Sequence, residues 1–129
     1  MSMGRSDQRD TGMLMTWVYN PHTGGKAIPP QVQARIRSRI QAYGTKEYAG
    51  RFDRLDVRFR GALCYVDAYL ERSTDPVHLV RLRYFGSDDR WSLAFYTYSH
   101  ERYEPCAFLD GGFHGTPEDA FDIGAVYLQ

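Results

Sequence analysis

The run FDRLDVRFRGALCYVDAYL (52–70) decides the fold. In its first half Leu55, Val57 and Phe59 alternate with Arg54, Asp56 and Arg58. In its second half Ala62, Cys64, Val66, Ala68 and Leu70 alternate with Leu63, Tyr65, Asp67 and Tyr69. A period of two is that of a strand with one buried and one wet face. Arg60-Gly61, between the halves, fits a two-residue hairpin turn. That register sets Phe59 against Ala62, Val57 against Cys64, Leu55 against Val66 and Arg54 against Asp67. A three-residue loop would put Arg58 opposite Ala62 and mix the faces. The expected product is a hairpin with Gly61 in its turn, Cys64 buried and Tyr65 on the opposite face.

Beyond the hairpin, Ser73-Thr74-Asp75-Pro76 is a loop. VHLVRLRYF (77–85) is a third strand, with Val80, Leu82 and Tyr84 on its apolar face. RWSLAFYTYS (90–99) is a fourth, setting Trp91, Leu93 and Phe95 opposite Tyr84, Leu82 and Val80. YEPCAFL (103–109) is a fifth, and Pro105 makes it an edge strand because proline has no N–H to give. Phe113-His114 would extend a short strand. Thr116 is a good N-cap, Pro117 suits the first helical position, and Glu118 and Asp119 complement the helix N-terminus. Ala120, Ile123 and Tyr127 follow at helical spacing, with Phe121 and Leu128 alongside.

On the other side of the hairpin, Pro29-Pro30 opens a helix. Val32, Ile36, Ile40 and Tyr43 form one stripe of period 3.6, and Gly44 is the expected stop. The stretch Trp17 to Pro30, rich in turn formers, packs Trp17 and Tyr19 on the domain and then turns twice. Residues 1–16 read as a flexible tail, with Met15 as an alternative start. The expectation is therefore a single α+β domain over 17–129. Its antiparallel meander has about five strands, with an N-terminal and a C-terminal helix packed on one face.

The composition agrees with a globular chain of 129 residues, 43% hydrophobic and 25% charged. Aromatics reach 15%, which argues against disorder. No apolar run is long enough for a membrane helix, and the first residues lack the apolar core of a signal peptide. Two cysteines without a CxxC spacing read as reduced thiols in a cytoplasmic protein. Net charge is zero by cancellation. Residues 1–60 carry eleven Lys+Arg and five acids, a net of +6, and residues 61–129 carry five and eleven, a net of −6. The expectation is pairing between the halves within one domain.

The stretches WVYNPHTGGKAIPP, RLDVRFRGALCYVDAY and VRLRYFGSDDRWSLAFYTYSHERYEPCAFLDGGFHGTPEDAF resemble a family of short uncharacterised bacterial proteins. The resemblance runs from Trp17 onward. It implies a bacterial source and carries over no site.

Motifs of catalysis are weak. Gly24-Gly25-Lys26 lacks the earlier glycine and the following hydroxyl residue of a phosphate-binding loop, and reads as a turn. His22, His78, His100 and His114 are scattered, with no HExxH. His100, Glu101, Glu104 and Cys106 cluster around a hairpin, but Cys106 should point into the core. Cys64 and Cys106 alternate onto the buried face, where cysteine acts as a small hydrophobe. His78 could reach that same side. Asp88-Asp89 and Glu118-Asp119 are explained by turn and cap physics. No catalytic residue, metal or cofactor is expected.

The outer sheet face is more informative. It displays Arg54, Arg58, Arg81 and Arg83 with Tyr65, Tyr69, Tyr96, Tyr98 and Tyr103, against Asp56 and Asp67 alone. Arginines among tyrosines are the components of a protein-binding hot spot. They are also those of a stacking platform for single-stranded nucleic acid. The expectation is a non-catalytic binding or protein-interaction module that takes a protein partner or a second copy, through this face or a sheet edge. The alternatives are a nucleic-acid-binding module using the same face, and a small enzyme with a site at the helix–sheet junction.

Overall fold

A computed structural model describes residues 23–129. Helix α1 (Pro30–Glu47) leads into five strands: β1 (Arg54–Arg60), β2 (Leu63–Tyr69), β3 (Val77–Ser87), β4 (Arg90–Thr97) and β5 (Arg102–Cys106). Helix α2 (Pro117–Gly124) and a 3-10 turn (Ala125–Leu128) follow. The strands form one open antiparallel sheet in the order β1-β2-β3-β4-β5. The fold is α+β. The expected tail and the packing of Trp17 and Tyr19 lie outside the described residues.

Both helices cover the same side of the sheet. Val32, Ile36 and Ile40 of α1 meet Leu55, Val57, Cys64, Val66, Leu82 and Leu93 of the strands, and Ala120 and Phe121 of α2 close the core. Cys64 is wholly buried and Tyr65 faces the other way, as the alternation requires. The pairings Val80–Phe95, Leu82–Leu93 and Tyr84–Trp91 between β3 and β4 are those read from the sequence.

The β1–β2 register differs from the expected one by two positions. Phe59 pairs with Cys64, Val57 with Val66, Leu55 with Ala68 and Arg54 with Tyr69. The turn residues are Gly61-Ala62, not Arg60-Gly61. Gly61 has φ +58 and Ala62 has no positive φ, so glycine takes the first central position of the turn, the II′ arrangement. A slip of two keeps every side chain on its face.

Three further expectations are corrected. Gly44 does not end α1, which runs on to Glu47. It is glycine because a Cβ there would lie 2.6 Å from Leu55 Cδ1 and 3.1 Å from Phe121 Cζ. Strand β5 stops at Cys106, because Phe108 and Gly112 close a turn in which the Phe108 N–H donates to the Gly112 carbonyl at 2.8 Å. The stretch 113–115 adds one bridge, Trp91 to Gly115, in place of a short strand at Phe113-His114. The α2 cap is as read: the Asp119 N–H donates to Thr116 Oγ1 at 3.1 Å.

A bulge in β3 decides what the outer face contains. Val66 pairs with Val80, but Asp67 pairs with His78, leaving Leu79 without a partner on β2. One extra residue reverses the alternation beyond it. Leu79 joins Val80 in the core. His78 is thereby turned outward, not to the buried side the simple alternation allows. Gly124 of α2 sits against this bulge, where an added Cβ would lie 2.9 Å from the Leu79 carbonyl oxygen.

Candidate interaction face of the sheet

The face opposite the helices gathers the residues singled out from the sequence. Across the strands, Arg58, Tyr65 and Arg81 lie in one row and Arg60, Leu63 and Arg83 in the next. Toward the other end, Arg54 lies beside Tyr69, and Tyr96 beside Tyr103. Tyr98 follows β4 and is 45% exposed.

These side chains pack on one another. The Arg54 guanidinium lies 3.7 Å from the centre of the Tyr69 ring, Arg58 5.1 Å from Tyr65, and Arg81 5.4 Å from Tyr103. Such contacts combine charge–quadrupole attraction with stacking of flat groups. Tyr103 meets Tyr65 at 5.7 Å and Tyr96 at 5.0 Å, both edge-on, and Tyr96 meets Tyr98 at 4.8 Å. Tyr127, arriving from the 3-10 turn, donates to the Tyr96 carbonyl at 2.6 Å and fixes that end of the cluster.

Beneath the rings lies one of the two acids that the strand pattern put on this face, with partners the pattern did not give. Asp67 is 2% exposed. Its Oδ1 is 2.9 Å from His78 Nδ1, and its Oδ2 accepts from Arg58 Nη2 at 2.8 Å. A buried carboxylate needs such partners. His78 stacks against Tyr96 at 4.6 Å, and its backbone N–H donates to the Tyr98 hydroxyl at 2.8 Å. Burial opposes the charge on Arg58, yet the Asp67 hydrogen bond and charge outweigh it and hold the guanidinium more basic than usual. Among the described residues, the Tyr103 hydroxyl oxygen is buried without a hydrogen-bond partner. Burial first, and the Asp67 charge second, push its phenol above the ordinary range. Periodicity alone would not reveal His78 here, since the bulge creates its position.

The face is unevenly compensated. Arg58 takes both of its acids, Asp67 at 2.8 Å and Asp56 at 3.3 Å. Among the described residues Arg54, Arg60, Arg81 and Arg83 have no carboxylate within ion-pair distance. Arg83 donates to the Gly24 carbonyl at 3.0 Å. Burial, and after it the neighbouring Arg81 charge, lower the basicity of Arg83. Arg60 belongs to this face although the sequence reading had placed it in the turn. A depression of about 580 Å³ lined by Arg58, Phe59, Arg60 and Tyr65 opens at the β1 edge beside it.

Both sheet edges are blunted. On β1, the Val57 carbonyl accepts from Arg37 Nη2 and the Leu55 carbonyl from Gln41 Nε2, each at 3.0 Å. Two outward acceptors of the edge strand are thus occupied by α1. On β5, Pro105 has no N–H to offer a further strand.

Elsewhere the opposite charges of the two halves meet. Arg35 grips Asp88 through two bonds of 2.7 and 3.0 Å. Arg39 grips Glu118 at 2.6 and 2.9 Å and reaches Asp89 at 2.5 Å. Asp122 accepts from the hydroxyls of Tyr43 and Tyr48, each at 2.7 Å. These bonds tie α1 to α2 and to the β3–β4 turn. The basic half and the acidic half pair within the fold.

The remaining chemical candidates do not converge. Burial pushes the Cys64 thiol up to about 12, which makes it a poor nucleophile. Cys106 is half-buried, and its thiol donates to the neighbouring Ala107 carbonyl at 3.2 Å. His100 contacts Glu104 at 2.6 Å, and Arg102 reaches the same oxygen at 3.1 Å. Among the described residues no group of three His, Cys, Asp or Glu side chains is placed to hold a metal ion, and no helix is long and apolar enough to cross a membrane.

Comparison with protein-family models, with curated proteins and with solved structures finds no match to this chain. The face itself must therefore supply the functional reading.

Proposed function

We propose that the chain is a non-catalytic binding module that docks a protein partner on the Arg/Tyr face of its sheet. One observation carries this reading: four arginines without carboxylate partners among the described residues share the helix-free side of the sheet with a packed tyrosine cluster. Tyrosine and arginine are the residues most enriched at interface hot spots. Rings and guanidiniums already ordered by mutual stacking lose little further entropy on binding. The blunted edges favour docking on the face over addition of a strand at either side. A cytoplasmic setting and a bacterial source belong to the same proposal, the first resting on two free cysteines and the second on the sequence resemblance.

The same arginines support a second reading, single-stranded nucleic-acid binding. It ranks lower because stacking platforms offer open ring faces to the bases. Here Tyr69, Tyr65 and Tyr103 each carry a guanidinium, and Tyr96 is flanked by His78, Tyr98 and Tyr103. For an enzyme at the helix–sheet junction, no acid, base and nucleophile converge among the described residues.

The test is affinity capture from a bacterial lysate with wild type and with Arg81→Ala/Arg83→Ala, followed by purification of the captured protein and titration calorimetry. The partner should bind the double variant at least about tenfold more weakly. Equal affinities would overturn the reading. Capture of a second copy of the chain, with the same loss, would identify the partner as itself.

A further inference from the structure

Resting on that docking reading, we infer that the partner presents an extended acidic segment whose carboxylates, at alternate residues, pair with the arginines flanking β2. The spacing of the arginines leads to this. Arg58 and Arg60 stand on β1, Arg81 and Arg83 on β3, and Tyr65 and Leu63 of β2 lie between them. Neighbouring strands are about 4.8 Å apart, so the two arginine pairs are separated by about 10 Å across β2. Within each pair the residues are two apart along a strand, about 6.7 Å. A peptide laid along β2 in extended form repeats its side chains on one face at that same interval. Carboxylates at alternate positions would meet Arg81 and Arg83 on one side of β2 and Arg60 on the other, while the intervening chain rests on Tyr65.

The charges point the same way. Arg81 and Arg83 stand side by side with no counter-charge among the described residues, and burial together with this crowding lowers the basicity of Arg83. Two partly buried like charges are costly unless an anion joins them. The depression beside Arg58, Arg60 and Tyr65 gives the segment room at the β1 edge. A single phosphate group fits less well, because the guanidiniums of Arg58, Arg81 and Arg83 are held at separate places, by Asp67, by the Tyr103 ring and by the Gly24 carbonyl. Nucleic acid would supply anions at intervals too, but the ring faces its bases need are engaged.

The test uses labelled peptides and fluorescence anisotropy with the full chain. The probes are an octapeptide alternating Glu and Thr, its Gln-for-Glu counterpart, one with its four Glu contiguous, and an octamer of deoxythymidine. The alternating peptide should bind at low salt, about 50 mM, and weaken by about 200 mM as the ion pairs are screened. The Gln peptide and the oligonucleotide should not bind, and the contiguous peptide should bind more weakly. Arg81→Gln/Arg83→Gln should lose at least about tenfold. Because Arg83 also holds the Gly24 carbonyl, Arg60→Gln serves as a second variant, whose side chain gives up no hydrogen bond or ion pair among the described residues, and should weaken binding several-fold. Circular dichroism and thermal melting check each variant's fold. No binding of the alternating peptide, binding unaffected by all variants, or preference for the oligonucleotide would each overturn the inference. Failure here, with the captured partner still losing affinity for Arg81→Ala/Arg83→Ala, would remove the acidic segment and leave the docking reading standing.

Discussion

Asp67 Oδ1 and His78 Nδ1 lie 2.9 Å apart under the tyrosines of the outer face, although strict alternation along β3 would turn His78 to the core. The bulge at Leu79 makes the contact, and the contact anchors the face: Asp67 holds Arg58 through its other oxygen, while His78 carries Tyr96 and binds the Tyr98 hydroxyl through its backbone N–H.

Asp67→Ala should therefore be among the costlier substitutions on this side of the sheet. It removes hydrogen bonds to a guanidinium and an imidazole from a carboxylate that is itself buried, although both partners reach solvent. Bonds to charged groups contribute about 1.5–3 kcal/mol. Urea unfolding should show a loss of that order, whereas Arg60→Ala, exposed and without an ion pair among the described residues, should be nearly neutral. Equal midpoints for wild type and Asp67→Ala would mean that the anchor contributes nothing.

Gly124→Ala offers a test of the bulge from the helix side. Alanine is the better helix former by about 1 kcal/mol. The new methyl, however, would meet Leu79 backbone atoms at 2.9 Å and Val80 Cγ1 at 2.8 Å. Backbone cannot step aside as a side-chain tip can, and overpacking costs about 1–3 kcal/mol. The variant should melt at a lower temperature than wild type. A rise in melting temperature would show that α2 does not sit so closely on β3.

Phe121 is the largest apolar group that α2 contributes to the core, 1% exposed and 5.3 Å from the Tyr48 ring. Phe121→Ala should cost about 3–5 kcal/mol. Deleting residues 117–129 removes Leu128 as well and should prevent stable folding. A truncated chain with the melting temperature of the full one would contradict the packing of α2 on the sheet.

Stability should fall on the alkaline side. Burial pushes the Cys64 thiol from 9.0 up to about 12, and burial together with the Asp122 hydrogen bond pushes the Tyr48 phenol from 10.0 up to about 12. Tyr43 and Tyr103 move in the same direction, burial being the first cause for each. These groups stay protonated in the fold after they would ionise in the unfolded chain. The unfolded state therefore binds fewer protons from about pH 9 upward, and stability declines until the folded groups titrate. The urea midpoint should drop between pH 8 and 10.5, and tyrosinate absorbance should rise late for the buried rings. A midpoint unchanged over that interval would contradict the burial.

Much of this was legible in the sequence, and the exceptions share a cause. Alternation in 52–70 and 80–97 showed which side chains share a face, because one face is apolar and the period of a strand is two. The cap at Thr116 was legible because its chemistry is local. What could not be read depended on tertiary contact. Gly44 looked like a stop but is a packing residue under Leu55 and Phe121. Gly61 signalled the turn, but not which central position it takes. Leu79 gives no sign of a bulge, so His78 and the importance of Asp67 stayed hidden. The outer arginines and tyrosines were visible as a set. Their stacking on one another, which leaves charge available but occupies the ring faces, was not.

The central claim is that the partner sits on the Arg/Tyr face, and side-chain nitrogen NMR tests it most directly. Each arginine Nε–H gives its own signal, and Arg81, Arg83 and Arg60 on the face can be compared with Arg35 and Arg39 on the helix side, which are held by Asp88 and Glu118. On titration with the captured partner, the signals of Arg81, Arg83 and Arg60 should shift and broaden, together with the amides of Tyr65 and Leu63, while Arg35 and Arg39 stay fixed. Shifts confined to Arg35, Arg39 and the helix amides, with the face unchanged, would contradict the account.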